Sequence, residues 1–579
     1  MFYLKPLLPV FIVLLLVAGG TAKPRLAAAA SLGSAWARLG YGLAKISLLV
    51  LPLQWLGYLF QNADPIAISA KAIWLACLAQ TLQLVLLITG TTDLIIAVRA
   101  FCGRTTQELP HAPLRSATLL GLWQRLLPAG VWGHTRHPFH AIPALLLIAG
   151  LGALWHGSVL CSLVWVVFHA TCVALETWRG RGLFSPLPVP IQVMLNLLLL
   201  LATSVLLISP TLSQAATYAG FMVEGRPQTL HTLLLDQRLT TAWLQIALSL
   251  SVIVSVALPR LGWLLELPMR TWRIVGMCLL PIALLLPWRE AQIAPAWLRQ
   301  AAQWPVSYLV GEGNSHVHHG YDGWLFDQTD LDARTQRRRQ PGLAATLPEL
   351  VHKLKEAGTE TLIVPLPAKL ALHPEYFLRA EYPAPVQPPG HRLKLEKLAA
   401  AAVPIFDPTQ MLWDRKLKAP AFYPTDRHWT FEAMKDTASA LAKHVREKHA
   451  ALCGQDTPLI NATILEREEA GDLARQLLPR SPSSLFSPQT AQLVSISGME
   501  PDVNSPILLA GGQALRVFEE ADSSFGNADG RPQRAGFATQ LALLLGRRLA
   551  VLQSLEAPAW IEAARGKKLL ILLVEADLL

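Results

Sequence analysis

The chain has 579 residues, 52% of them hydrophobic and only 16% charged, a balance too apolar for a purely soluble protein and a length that leaves room for several domains. The net charge of +10 does not point to nucleic acid, because basic residues in the first half gather in short stretches between apolar runs, as in "RGRG" and "PRLGWLLELPMRTWR", where they anchor cytoplasmic loops. Cys77, Cys102, Cys161, Cys172 and Cys278 lie in or beside apolar runs and leave Cys453 alone in the later half, which excludes a disulfide framework or a zinc-type spacing there.

The first apolar run, "LLPVFIVLLLVAGG", reads as a signal peptide or as a frayed first span. Further spans are expected over residues 43–60, 71–98, 140–157, 159–177, 190–209, 241–258 and 273–287, most of them near the roughly 17–25 residues that a bilayer requires. Basic loops at Arg99 to Arg136, Arg179 to Arg181 and Arg260 to Arg273 are placed in the cytoplasm by the positive-inside rule, with an even number of spans between each. The last span then delivers everything after about Pro287 to the outer face.

Polar residues within apolar runs need a reason, since each is costly against lipid. Asp93 and Arg99 are expected to pair with one another or to snorkel at the end of a long span. His156, between Trp155 and Gly157, reads either as an interhelical hydrogen-bonding group or as a functional one.

Taken in order, "TGTTDLIIAVRAFCG", "LLGLWQRLLPAGVWG", "GLGALWHGSVLCSLVWVVFHATCVALE" and "TLSQAATYAGFM" resemble successive segments of the bacterial membrane-bound O-acyltransferase (MBOAT) family. On that resemblance His156 matches the family's membrane-embedded catalytic histidine and Glu176 the acidic end of the next span. Leu127 stands where the family carries a second histidine, and the match begins close to the N-terminus, so a shortened module is expected. A neutral imidazole in such a site can take a proton from an attacking hydroxyl while a cytoplasmic acyl-CoA presents its thioester.

From about Val310 the pattern changes to strands alternating with helices. "TLIVPLPAK", "AAVPIFDPT", "SPILLAGG", "LAVLQ" and "KKLLILLVEADLL" read as strands, and "LPELVHKLKEAG", "HRLKLEKLAAA", "TFEAMKDTASALAKHV" and "AGFATQLALLLG" as helices. This rhythm predicts a mostly parallel sheet covered on both faces, with functional groups at the carboxyl ends of its strands. The cluster His316, His318, His319 and Asp322 reads as a solvated loop, because its spacing fits no standard metal site, and the Asn-Xaa-Thr pattern at Asn461 reads as accidental.

In "FYPTDRHWTF" Asp426 stands two residues before His428, a spacing that can orient an imidazole and stabilise its charged form. With "GYDGWLF", "VPLPAKLALHPE", "VPIFDPTQML" and "EAGDLARQLLP", this stretch resembles the SGNH-hydrolase-like domain of the alginate O-acetyltransferase family, in the family's order. The resemblance implies Asp426 and His428 as acid and base, and Lys369 and Trp429 as substrate-binding residues. In that family the strand before the "GDSF" or "GTSY" turn leads to the nucleophilic serine; here "ILLAGGQALRVFE" puts Gly512 and Gln513 at that turn, leaving Ser523 and Ser524 as distant substitutes.

The expected architecture is therefore a multi-span α-helical membrane domain over residues 1–290 followed by an α/β SGNH-like domain with a flavodoxin-like parallel sheet over 305–579. The resemblances imply a bacterial inner-membrane protein with its C-terminal domain in the periplasm, no bound cofactor, and acetyl-CoA or another acyl donor as substrate. Its expected partners are an exported polysaccharide, membrane lipid and other acetylation or export subunits. Three function classes remain open: an O-acyltransferase, a catalytically inactive glycan-binding or assembly component, and a multi-span transporter, for which the sequence shows no internal repeat.

Overall fold

The computed structural model describes residues 32–102, 113–126, 158–257, 269–286, 289, 294–337, 345–454, 459–526, 530–554 and 556–575. The chain divides into two compact units, Met1–Ala294 and Pro295–Leu579.

Among the described residues of the first unit, four helices are long and apolar enough to cross a membrane: Ala35–Asn62, Ala70–Phe101, Val159–Arg179 and Val189–Ile208. A bent pair, Leu230–Leu239 and Ala242–Ser255, turns by 57°, and Ile274–Leu285 is a shorter apolar helix. The expected span over 241–258 is thus the second limb of a broken element. The expected span over 140–157, with His156 at its end, and Leu127 lie outside the described residues.

Two buried carboxylates in this unit have partners from distant stretches. Asp93 does not pair with Arg99; its carboxylate takes Arg38 Nη1 at 2.8 Å and Lys45 Nζ at 2.7 Å. Residues six apart on one helix face different sides, so the expected partner is out of reach. Glu176 accepts the backbone N–H groups of Leu119 (3.2 Å), Leu120 (2.7 Å) and Leu183 (3.1 Å). The acidic residue therefore caps the start of the helix Leu119–Leu126, whose first N–H groups have no partner within the helix.

The second unit is built on a four-stranded parallel sheet in the order β3-β8-β6-β7, formed by β3 (Glu360–Leu366), β6 (Ile507–Gly511), β7 (Ala550–Gln553) and β8 (Leu569–Glu575). Glu360 is paired with Leu569 across β3 and β8, and Ile507 with Leu569 across β6 and β8. From Leu569 to Val574 β8 is buried without interruption, as a parallel strand covered on both faces requires. One covering layer comes from Leu347, Leu350 and Leu354 of one helix and Trp560 of another.

"AAVPIFDPT" contributes a single parallel bridge, Ile363 to Ile405, instead of a strand. Pro404 has no N–H to give to a ladder, and Pro408 follows closely, so pairing cannot extend in either direction.

Two antiparallel hairpins lie outside the main sheet. β1 (Val317–His319) pairs with β2 (Leu325–Asp327), and β4 (Asn461–Glu469) pairs with β5 (Gln489–Ser497). The histidine cluster divides: His316 and Asp322 are exposed in a bend and a turn, as a solvated loop requires, whereas His318 and His319 lie in β1, and His318 is buried with its Nε2 against Gln328 Oε1.

Candidate active site

The loop between Phe422 and Trp429 is closed by an antiparallel bridge between those two residues. Thr430 then caps the helix Phe431–Lys448, its hydroxyl accepting the Ala433 N–H at 3.3 Å. That helix forms because Phe431, Met434, Ala438, Leu441 and Val445 recur at three and four residues and are buried.

Three neighbours fix the loop. Pro424 accepts the Leu325 N–H of β2 at 2.8 Å, and Thr425 accepts the Ala474 N–H at 3.3 Å. Lys369, just past the carboxyl end of β3, donates from Nζ to the carbonyls of Pro424 (2.7 Å) and Asp426 (2.9 Å). The dyad therefore stands at the carboxyl end of the parallel sheet, the edge where such folds carry their sites.

Within the loop, Asp426 Oδ1 lies 2.6 Å from His428 Nδ1 and also accepts the His428 backbone N–H at 2.9 Å. Its other oxygen accepts the Asp472 N–H at 3.0 Å. Asp426 is fully buried, and burial raises its carboxyl, but the His428 charge and the hydrogen bonds from His428 and Asp472 outweigh this and hold it well below the usual range. Burial lowers the His428 imidazole; Asp426 outweighs that too and shifts it up. His428 Nε2 is buried with no hydrogen-bond partner among the described residues.

A second carboxylate adjoins the pair. Asp472 accepts the Arg427 backbone N–H at 2.8 Å and bonds the Arg427 guanidinium, which also reaches Asp327 Oδ2 at 3.1 Å. Burial and the Asp426 charge push Asp472 up to about 6. Asp426, His428 and Asp472 each bring a potential ligand atom within 4.8 Å of the others. Those atoms already hold one another or Arg427.

Sequence reasoning missed Asp472, Arg427 and Gly471. Gly471 has φ of 90° and packs so tightly on the Thr425 carbonyl that a Cβ has no space there. The stretch "EAGDLARQLLP" carried that signal, but its distance of more than forty residues along the chain hid the contact.

Lys369 and Trp429, expected to bind substrate, are both buried. The Lys369 ammonium lies 4.9 Å from the Trp324 ring and 5.5 Å from Phe326, and Trp429 stacks on Phe537 at 5.5 Å. Their side chains support the dyad loop from behind.

Gln513 is exposed and opens a short turn, Gln513–Leu515, at the carboxyl end of β6. Ser523 spends its hydroxyl on the carbonyls of Arg516 and Glu520, both at 2.9 Å, while Ser524 is buried beside Phe525. This segment packs on the dyad loop, with Phe525 4.4 Å from Tyr423 and Phe518 5.6 Å from Phe431.

Comparison with known proteins agrees with the resemblance of the C-terminal part. Residues 317–551 match the family described as "ALGX: SGNH hydrolase-like domain, acetyltransferase AlgX". The chain is 28% identical over 176 residues to "Probable alginate O-acetylase AlgJ" of Pseudomonas fluorescens, covering 30% of this chain and 44% of that protein. It is 28% identical over 128 residues to "Probable alginate O-acetylase AlgI" of Azotobacter vinelandii, covering 20% of this chain and 25% of that protein. The chain thus spans less than half the length of the curated relatives it matches. Among solved structures it is similar to the O-acetyltransferase domain of Pseudomonas putida AlgJ, at 18% identity and a TM-score of 0.34, covering 45% of this chain and 91% of that domain. Residues 317–551 thus resemble an ALGX-type SGNH hydrolase-like domain and follow a part rich in apolar helices.

Proposed function

We propose that this chain is a membrane-bound O-acyltransferase, of MBOAT type in its membrane part, which moves an acetyl group from a cytoplasmic acyl donor to hydroxyls of an exported polysaccharide such as alginate. The observation that carries this reading is the buried Asp426–His428 pair, joined at 2.6 Å, with His428 Nε2 left without a partner. Neutral Nε2 accepts the proton of a sugar hydroxyl as its oxygen attacks the acyl carbonyl. The bond from carbonyl carbon to the leaving group breaks, and the leaving group recovers a proton from the imidazolium. With Gln513 at the strand end, that attack falls on an acyl group that the membrane part takes from the cytoplasmic donor and presents at the outer face, the group that carried it leaving with the proton, and no acyl-serine intermediate forms in the C-terminal unit.

In this reading His156 serves the membrane part, the C-terminal unit lies in the periplasm, and other acetylation or export subunits supply donor or glycan. A second reading, a tethered glycan-binding component without catalysis, is favoured by Gln513 at the nucleophile position and by Leu127 in place of the second membrane histidine. The deciding experiment measures ester-linked acetyl on exported polysaccharide in a strain lacking the chain, complemented by His428→Ala, His156→Ala or the unaltered protein. Loss of acetyl with His428→Ala supports the acyltransferase. Unchanged acetyl with both variants sinks it in favour of the non-catalytic component.

A further inference from the structure

The helix Ala296–Val310 opens the C-terminal unit and is amphipathic in an unusual sense. Ala302, Gln303, Val306 and Ser307 face inward and are buried. The opposite stripe consists of Trp297 (56% exposed), Ala301, Pro305, Tyr308 (62%) and Leu309 (76%), at spacings of three and four residues. It is apolar along its whole length and presents large side chains to the outside, which a water-facing helix avoids. Trp304 stacks on Tyr308 with ring centres 4.9 Å apart.

Beside this stripe runs an open groove of about 520 Å³ between Trp297, Gln300, Trp304 and Pro305 on the helix and Arg480 and Ser481 opposite. Its polar groups are largely spent within the protein. Gln300 Oε1 accepts the N–H groups of Arg480 (2.7 Å) and Ser481 (3.0 Å), and the Trp304 indole donates to Ser484 Oγ at 3.2 Å. A sugar site needs converging free polar groups. Beside the Gln300 amide nitrogen and the Ser481 hydroxyl, the groove presents indole faces and the exposed Arg480 guanidinium, groups that gather at a lipid interface.

The chain itself argues for that occupant. The apolar helix Ile274–Leu285 precedes this one. Arg289, between them, lies over the Trp243 ring at 5.7 Å, a pairing of types that gather at membrane surfaces. Ala296 follows Arg289 by seven positions in the sequence.

We propose that the helix Ala296–Val310 lies in the headgroup region of the bilayer, with Trp297, Ala301, Pro305, Tyr308 and Leu309 toward the acyl chains and Arg480 toward lipid phosphate. The proposal rests on the apolar helices crossing the membrane and is independent of acyl transfer. It ties the dyad to the membrane surface. Trp304 packs on the cluster of Val317, Leu325, Leu473 and Leu477; Asp472, which begins the helix Asp472–Leu477, is the residue whose N–H Asp426 holds. That helix, six residues long, spans about 9 Å.

The test uses the full chain, labelled with fluorotryptophan and reconstituted in nanodiscs containing anionic lipid, with Trp297→Phe, Trp304→Phe and Trp413→Phe assigning three fluorine resonances. A lipid carrying a spin label near its headgroup should broaden the Trp297 resonance at least about twofold more than that of the buried Trp413. A soluble gadolinium chelate should leave Trp297 sharp. Tyr308→Asp combined with Leu309→Asp should remove the lipid broadening, with the His428 imidazole signal unchanged as evidence of an intact fold. Broadening of Trp297 by the chelate and not by lipid overturns the proposal. So does a Trp297 shift on adding an acidic hexuronate oligosaccharide without any lipid effect, which would make the stripe a glycan site.

Discussion

Asp426 and His428 are joined twice, once through the imidazole at 2.6 Å and once through the backbone N–H at 2.9 Å, by the same carboxylate oxygen. The ring is thereby fixed with Nδ1 toward the carboxylate, leaving Nε2 as the nitrogen without a partner. Because Asp426 raises the imidazole above its ordinary value of 6.5, and a general base must be unprotonated, acetyl transfer should rise with pH through a midpoint above that value.

Asp426→Asn removes the negative charge. The His428 titration, followed by NMR, should move to lower pH, and the acidic limb of the rate profile should move with it while the plateau falls by about a thousandfold or more. A limb that stays in place refutes the assignment of His428 as base. The sign for stability is different. The lowered Asp426 contributes stability above its unfolded pKa, lost only as pH falls through the depressed value, while the raised His428 contributes at low pH and loses its share as pH rises through the raised value. The pair should therefore stabilise most from roughly pH 4 to about pH 6.5, with the His428 share declining from there through its raised midpoint.

Gly471→Ala should damage the site without touching a titrating group. At φ of 90° any side chain is strained, and the added Cβ meets the Thr425 carbonyl beside Asp426. A loss of about 1–3 kcal/mol in unfolding free energy is expected, with reduced acetyl transfer. Denaturant melts that overlay those of the unaltered protein would show that this close approach is not needed.

Lys369→Met strips two backbone carbonyls of their donor, and about 2 kcal/mol of destabilisation is expected. Burial lowers Lys369 to about 7, whereas the unfolded lysine keeps its proton to about pH 10. Between those values the unfolded state binds more protons, so this group's contribution becomes more favourable as pH rises. The stability gap between the two proteins should accordingly widen from pH 7 to about pH 9, and a gap independent of pH would contradict the titration.

Ser523→Ala should keep acetyl transfer within about twofold and cost no more than about 1 kcal/mol, since the hydroxyl is occupied by two carbonyls of its own turn. Abolished transfer in that variant, with an unchanged melting temperature, would restore a serine nucleophile and end the direct-transfer reading.

Glu176→Gln replaces a carboxylate that receives three backbone N–H groups by an amide that accepts through one oxygen. We expect a loss of about 1–2 kcal/mol, read as earlier thermal unfolding of the detergent-purified chain. An unshifted transition would mean that water replaces the cap.

Much of the C-terminal unit was legible because its central strands are buried on both faces and so read as unbroken apolar runs, β8 above all. The hairpin β4–β5 was not: "NATILEREE" is mostly exposed along its length, and its pairing depends on a partner about twenty residues away. The dyad was legible as a local pair, yet what supports it comes from distant stretches: Lys369, Gly471, Asp472 and Asp327. The same limit explains Asp93, whose partners Arg38 and Lys45 belong to another helix. Contacts set by tertiary packing leave no mark in local spacing.

The strand order β3-β8-β6-β7 has a consequence for how the protein is made. β3 and β6 are not neighbours; each pairs with β8, whose residues 569–575 are synthesised after both. During synthesis the sheet would remain divided, with the apolar edges of β3 and β6 open to misassociation, until β8 arrives between them. Closure of the sheet therefore waits on β8, and a ribosome pausing before residue 569 would hold the dyad loop on an unfinished sheet.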